Sequence, residues 1–388
     1  MKRLITCVAL LVLGACSSAP ATPTPALSLG KGPGASYELM YLFRDESVEA
    51  TQAYQLAGVV TAVSGVQPPQ RVLQKFPVDG IAVPWDVRPP AALSPDGHTL
   101  ALVQWDEKIG RALTVDGRTG AARVLPGIRV TGLFTPTVLG WSRDGAQVYF
   151  YDETTLPGRV FAFNLSNAAI QPLFTLNDGA PQTAMETLAP DSSALIYCTS
   201  IGNRGCAGFA LRALADGART PLALRAGLVC SGYPALKWSP NSRALALGCI
   251  DSAHKYSVEL IDPLTGAVRS FAMPEEVNDF AWSADSRQML IDLCAGNYIN
   301  VSDPDCGPLR LLDIATGTVG NGPALERTEA RRLYWLGDTL IFNESTGGGQ
   351  EATMYFYDIP TRQSKQFTRN ASTYADASFT VLALRPVS

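Results

Sequence analysis

One short turn recurs along the chain and limits what it can fold into. Its clearest copy is Lys237-Trp238-Ser239-Pro240-Asn241-Ser242-Arg243. Worn copies stand at Leu93-Ser94-Pro95-Asp96-Gly97, Trp141-Ser142-Arg143-Asp144-Gly145, Leu188-Ala189-Pro190-Asp191-Ser192 and Trp282-Ser283-Ala284-Asp285-Ser286, with a shortened one at Trp335-Leu336-Gly337-Asp338. Proline presets φ at the second turn position, Asp or Asn tolerates the next, and Gly or Ser accepts the strained end. Apolar runs such as Leu100-Ala101-Leu102-Val103, Ala244-Leu245-Ala246-Leu247 and Gln288-Met289-Leu290-Ile291 follow the turns, so each reads as a hairpin between two strands. The chain is therefore expected to be all-β.

The copies are spaced by about 47 residues, a period that suits the four-stranded blades of a propeller. A second turn closes another hairpin within each repeat, at Asp116-Gly117-Arg118-Thr119-Gly120, Asp262-Pro263-Leu264-Thr265-Gly266, Asp313-Ile314-Ala315-Thr316-Gly317 and Asp358-Ile359-Pro360-Thr361. Near the start, Tyr37 to Phe43, Tyr54 to Val63 and Gln70 to Phe76 supply three strands with no first-type turn, while Phe379 to Leu384 is a lone strand near the end. Pairing these leftovers would close a ring of seven blades and remove exposed sheet edges, with six blades as the alternative.

Taken together, the W-S-P-D-G turn, the apolar strand and the D-x-x-T-G turn resemble the WD40-like repeats of TolB-type β-propellers, over nearly the whole chain past its first residues. The resemblance implies a single propeller over 37–388. It leaves the role open, because such repeats serve periplasmic scaffolds, propeller halves of peptidases and many lipoproteins. TolB carries an additional N-terminal α/β domain, whereas here the repeats begin almost at once, so its partners do not transfer.

The first residues give an address. Lys2-Arg3 and the apolar run Leu4 to Leu13 form an export signal over 1–15, too short to span a bilayer as a helix. Leu13-Gly14-Ala15-Cys16 resembles the lipobox of bacterial lipoproteins, which implies acylation of Cys16. The alternative is an ordinary secreted protein cut after Ala15. Each buried acyl CH₂ adds about 0.8 kcal/mol of membrane binding. With Ser17 and no Asp after the cysteine, the resemblance favours the outer membrane, facing the periplasm, in a host with two membranes. Residues 16–36 are rich in Ser, Ala, Pro, Thr and Gly and read as a tether. Gly30-Lys31-Gly32-Pro33-Gly34 is not a phosphate loop, since no strand precedes it and no helix follows. The formal net charge is −4 and no basic stripe appears, which argues against nucleic acid.

Beyond Cys7 and Cys16 the cysteines are Cys198, Cys206, Cys230, Cys249, Cys294 and Cys306. An even number in an exported chain points to disulfides, and the strand register favours 198 with 206, 230 with 249, and 294 with 306. A zinc site is the competing reading, but three pairs spread over three blades make no tetrahedral cluster, and neither metal nor cofactor is expected. Gly140-Trp141-Ser142-Arg143-Asp144 falls short of a nucleophile elbow, because Ser142 belongs to a structural turn. His98 and His254 read as solvated loop residues. The loop Asn300 to Asp305 lacks the Gly and the terminal Glu of a calcium loop. Trp85 and Trp105 are the tryptophans outside the repeat and the aromatic candidates for a surface site.

These observations lead to a lipid-anchored, non-catalytic protein- or ligand-binding scaffold of the cell envelope, with an envelope protein or peptide as its expected partner. The alternatives are a funnel-site enzyme of the propeller lactonase or lyase type and a purely structural envelope lipoprotein. Tyr233, Asn278, Arg331 and Asp376 lie just upstream of the innermost strands and are expected to ring the funnel mouth, on the rim that carries the six cysteines.

Overall fold

The computed structural model describes residues 36–45, 53–62, 70–76, 91–106, 109–116, 119–130, 137–152, 158–176, 187–202, 205–231, 235–295, 305–323, 331–336, 339–345, 352–359, 362–367 and 380–386. The export signal, Cys16 and all but the end of the tether lie outside the described residues, as do Trp85, Tyr233 and Asp376. The described chain is all-β, with antiparallel sheets and no helix. It divides into two compact units, one built from Lys31–Gly179 with Ser372–Ser388 and the other from Ala180–Ala371.

The first unit holds three four-stranded sheets. In one, Gln70–Phe76, Ala53–Ala62, Ser36–Asp45 and Thr380–Pro386 lie side by side. The last strand thus pairs with the first, Tyr37 opposite Pro386, as the leftover strands suggested. The others run Ala91–Leu93, Thr99–Asp106, Ile109–Asp116, Ala122–Val130 and Thr137–Trp141, Gln147–Asp152, Gly158–Asn164, Ile170–Leu176. Gln147–Asp152 is buried at its four middle positions, while Ile170–Leu176 at the sheet's far edge is half-buried or exposed. Strands covered on both faces need apolar runs rather than alternation, which is what the second strand of each repeat supplies. Phe150 and Phe163 are fully buried, each stabilising the unit by about 1.5–3 kcal/mol relative to an exposed ring.

In the second unit, Thr187–Leu188, Ala194–Gly202, Gly205–Ala213 and Arg219–Leu222 form one four-strand set, and Leu236–Trp238, Leu245–Ile250, Tyr256–Ile261 and Val268–Met273 form another. The two-residue strand Val229–Cys230 pairs with both and welds them into a nine-stranded sheet. Two more sheets follow. Glu276–Trp282, Gln288–Ala295, Arg310–Asp313 and Val319–Asn321 take the short Asp305–Cys306 as an extra pair, and Arg331–Leu336, Thr339–Ser345, Ala352–Asp358 and Gln363–Phe367 complete the unit.

The recurring turn has a common hydrogen-bond design. Ser94, Ser142, Ser239 and Ser283 each donate their hydroxyl to the acid or amide two residues on, at 2.5–2.8 Å. The same hydroxyls accept the backbone N–H five residues on, at 2.8–2.9 Å. The hydroxyl of Ser142 holds the Asp144 carboxyl below the usual range, and that of Ser283 does the same for Asp285. The fifth residue is left-handed, with φ of 68° at Gly97, 71° at Gly145, 60° at Ser192, 59° at Ser242 and 61° at Ser286.

Serine at that strained position has a reason. The Ser242 hydroxyl accepts the N–H of Asp191, in the preceding turn, at 2.9 Å, and Ser286 accepts that of Asn241 at 3.2 Å. The tryptophans tie sheets in the same direction. Nε1 of Trp141 donates to Ala92 O (2.8 Å), Trp238 to Thr187 O (3.3 Å) and Trp282 to Lys237 O (3.4 Å). Each acceptor directly precedes the equivalent turn position of the previous repeat, and each indole is buried between the sheets it joins.

Candidate functional site

The second unit gathers four of its cysteines in one place. Cys198 is bonded to Cys206 (S–S 2.13 Å) and Cys230 to Cys249 (2.04 Å). Cys206 stands opposite Cys230, and Cys230 opposite Cys249, across three neighbouring strands. All four are at most 5% exposed and share one apolar cluster with Trp238, Leu211 and Leu247. Cys294 is also disulfide-bonded and faces Cys306 in the pairing, though the side chain of Cys306 lies outside the described residues. Packing at the weld is close: a Cβ on Gly205 would collide with the Cys230 carbonyl oxygen. Ser231 N donates to Gly248 O at 2.9 Å and Gly248 N to Ala235 O at 2.8 Å, so the strand's exit at Ser231 and the chain's return at Ala235 are both tied to Gly248.

Just beyond Cys249 the turn Asp251 to Lys255 presents charge. Asp251 Oδ1 accepts the N–H groups of Ala253 and Lys255, both at 2.9 Å, and His254 N donates to Asp251 O at 3.0 Å. That turn holds His254 left-handed (φ 59°) and exposed, in keeping with its reading as a solvated loop residue. Arg225, 58% exposed, reaches Asp251 at 3.9 Å across the welded connection. The Lys255 N–H, with Arg225 and the Lys255 charge behind it, holds the Asp251 carboxyl below its usual range. One end of the unit therefore displays Arg225, His254 and Lys255 on loops braced from beneath by buried bridges.

A second polar group lies inside. Strand Glu276–Trp282 bulges between Val277 and Asp279. The bulge turns Asn278 inward, where it is 2% exposed and donates from Nδ2 to Asp292 Oδ2 at 2.8 Å. Cys294 Sγ is 3.7 Å from the same oxygen. The expectation that Asn278 rings a funnel mouth is therefore corrected: its amide is committed to a buried carboxylate and offers no surface to a ligand. Asp279, fully buried, accepts Phe280 N at 2.7 Å, Leu333 N at 2.9 Å and an ion pair from Lys237 at 2.6 Å. The Lys237 ammonium also donates to Phe280 O (2.6 Å) and Leu333 O (3.3 Å).

Of the remaining sequence candidates, Arg331 opens the strand Arg331–Leu336 opposite Glu344, with its side chain outside the described set. Trp105 lies in Thr99–Asp106, its side chain likewise undescribed. His98 is half-buried in its turn, where its N–H donates to Asp96 at 2.9 Å. The residues missed by sequence reasoning had one visible signal. The position before each turn holds Ala92, Gly140, Thr187, Ala281 and Tyr334 in other repeats, and only Lys237 carries a charge there. Asp279 and Asp292 likewise interrupt apolar runs.

No protein-family model matches the chain, and no curated protein matches it. Solved structures do. An oligogalacturonate lyase in complex with manganese aligns with 82% of this chain and 85% of its own at 14% identity and a TM-score of 0.57. The β-propeller domain of the Trilobed protease from Pyrococcus furiosus aligns over 88% and 97%, at 11% identity and a TM-score of 0.52. The periplasmic gluconolactonase PpgL of Pseudomonas aeruginosa aligns over 91% and 99%, at 16% identity and a TM-score of 0.51. The chain has the β-propeller fold. These matches overturn the expectation that it is not an enzyme, since structures similar to it along most of their length include a lyase and a lactonase. Among the described residues no group of three or more His, Cys, Asp or Glu is placed to hold a metal ion.

Proposed function

We propose that this chain is an exported, lipid-anchored propeller of seven four-stranded blades that binds an anionic ligand of the cell envelope on its disulfide-braced end. Residues 1–15 are its signal, Cys16 its acylated residue, 16–36 its tether and 37–388 its propeller. Counting the welded nine-stranded sheet as two blades supports seven. The observation that carries the binding reading is the grouping of Arg225, His254 and Lys255 above the Cys230–Cys249 bridge, on a chain whose overall formal charge is −4. Arg225 and Lys255 outweigh Asp251 between them, and a net positive point on an acidic protein concentrates anions where the bulk surface repels them. Loops already ordered by bridges also lose little entropy on binding. Tyr233 and Arg331 remain candidate contacts on the same reading.

The test uses the full chain with Cys16→Ser and calorimetric titration with oligogalacturonate, neutral oligosaccharides of equal length serving as the control. Arg225→Ala/Lys255→Ala is expected to weaken acidic-sugar binding by about tenfold or more, which corresponds to roughly 1.4 kcal/mol. Equal affinity for neutral and acidic sugars, or a double variant that binds like the parent, sinks the proposal. The lyase and lactonase matches favour a second reading, turnover of an acidic sugar or of a sugar lactone at the same end. Release of an unsaturated product or loss of lactone, abolished by the same double variant, distinguishes it from binding alone.

A further inference from the structure

We infer that Lys237 fills, with its own ammonium, a cation site built by the first strands of three successive sheets, and that the ligand class of that site is a small primary ammonium. Three oxygens converge on Nζ from two different strands: Asp279 Oδ1 at 2.6 Å, Phe280 O at 2.6 Å and Leu333 O at 3.3 Å. The lysine itself comes from a third strand, Leu236–Trp238. One carboxylate and two carbonyls are a donor set for a singly charged cation, and the shorter contacts match charge-assisted N–H···O bonds. The face of Tyr334 lies 5.6 Å from Nζ and adds the attraction of its ring.

Two alternatives fail on the same geometry. An ammonium has three protons. Those of Lys237 have three oxygens to meet inside the protein, so it is not an anion-binding lysine awaiting a substrate. It is not a poised nucleophile either, because the ion pair with fully buried Asp279 favours the protonated amine. What remains is a cation held for what it joins. Asp279 Oδ2 already accepts Leu333 N at 2.9 Å, so the same carboxylate also reaches the strand Arg331–Leu336 from its other oxygen. Removing the ammonium would leave a buried carboxylate facing two carbonyl oxygens with nothing positive between them.

The experiment is chemical rescue of the full chain. Lys237→Ala opens the space vacated by the three outer methylenes and the ammonium, and n-propylammonium chloride, which matches them, is titrated while the thermal midpoint is followed. Tetramethylammonium, which is charged but has no N–H, is the control, and potassium is a third arm. Lys237→Met keeps the apolar stem and blocks the space. The expected result is a midpoint for Lys237→Ala that climbs by several degrees with propylammonium and saturates, with no such rise from tetramethylammonium and none in Lys237→Met or the parent. A rise with potassium alone would show that charge rather than N–H donation fills the site, and would overturn the ammonium assignment. Equal responses to propylammonium and tetramethylammonium, or equal responses in Lys237→Ala and Lys237→Met, would overturn the site itself. Should Lys237→Ala not fold in plain buffer, refolding with and without propylammonium gives the same decision: recovery with the primary amine alone supports the site, and recovery with neither removes it.

Discussion

Replacing Cys230 and Cys249 together with alanine should cost the second unit more than replacing Cys198 and Cys206. The first bridge closes a segment of 19 residues and the second one of 8. The chain-entropy relation then assigns roughly 3.2 kcal/mol to the longer closure and roughly 2.5 kcal/mol to the shorter one at 25 °C. Packing losses are alike, because all four cysteines are at most 5% exposed in one apolar cluster. The bridges differ in a second way. Cys230 sits in a two-residue strand held by one opposed pair on the Cys206 side and two on the other, so its disulfide is the main covalent restraint on the weld. Urea unfolding of the two double variants measures the global difference, and hydrogen exchange at the amides of 229–231 measures the local one. The expected outcome is a lower urea midpoint for Cys230→Ala/Cys249→Ala, with faster exchange at those amides before global unfolding. A larger loss from Cys198→Ala/Cys206→Ala, or strap amides protected as in the parent, would refute the reasoning.

Other outcomes follow from particular contacts. Ser242→Ala loses the acceptor for Asp191 N while keeping a left-handed backbone, and should cost about 1–2 kcal/mol; Ser242→Gly loses the same bond but sheds the strain and should be nearly neutral in urea titration. Asp144, Asp262 and Asp285 have carboxyls held below their unfolded values by Ser142 Oγ, Leu264 N and Ser283 Oγ respectively. Their stabilisation is fully present above about pH 4 and is lost as pH falls through the folded values, so Asp144→Asn/Asp285→Asn should show a shallower acid loss by thermal melts at pH 2 to 5. Asn278→Ala should lower stability by about 1–3 kcal/mol while leaving ligand affinity unchanged, because its buried partner Asp292 loses a donor; a selective loss of binding would return Asn278 to the site. Cys16→Ser should move the protein from the membrane to the soluble fraction with an unaltered melting transition, and continued membrane partitioning would remove the lipid anchor.

The turns and strands are legible in the sequence because their chemistry is local. A serine that donates to residue i+2 and accepts from i+5 needs only a few neighbouring residues, so Ser94, Ser142, Ser239 and Ser283 can be read from their own segments. The pairing of the first and last strands is legible for a different reason: each lacked a partner in its own repeat. Asn278 was misplaced because its direction depends on a bulge, and a bulge is a property of two strands in register rather than of one strand's composition. Arg225 and Lys255 escaped notice because Arg225 reaches the Asp251 turn only once Cys230 stands beside Cys249.

A repeat also makes its own departures informative. Within the turns, Gly97 and Gly145 of the first unit give way to Ser192, Ser242 and Ser286 in the second, where at least two of the three serines bond to the preceding turn. Every cysteine past Cys16 lies between positions 198 and 306, inside that same unit, and so do Lys237, Asp279 and Asp292. Lys237 stands where other repeats carry no charge, and with the bridges, Asp279 and Asp292 it adds directional links between neighbouring strands. Among the described residues of the first unit, Phe150 and Phe163 are fully buried and Trp141 ties its sheet to Ala92 O. Burial is non-directional, and it does not hold loops in fixed positions at the end of a sheet. The links concentrated between Cys198 and Cys306 do hold them, which is why the exposed charges of Arg225 and Lys255, with the His254 imidazole beside them, are the ones to pursue as a binding surface.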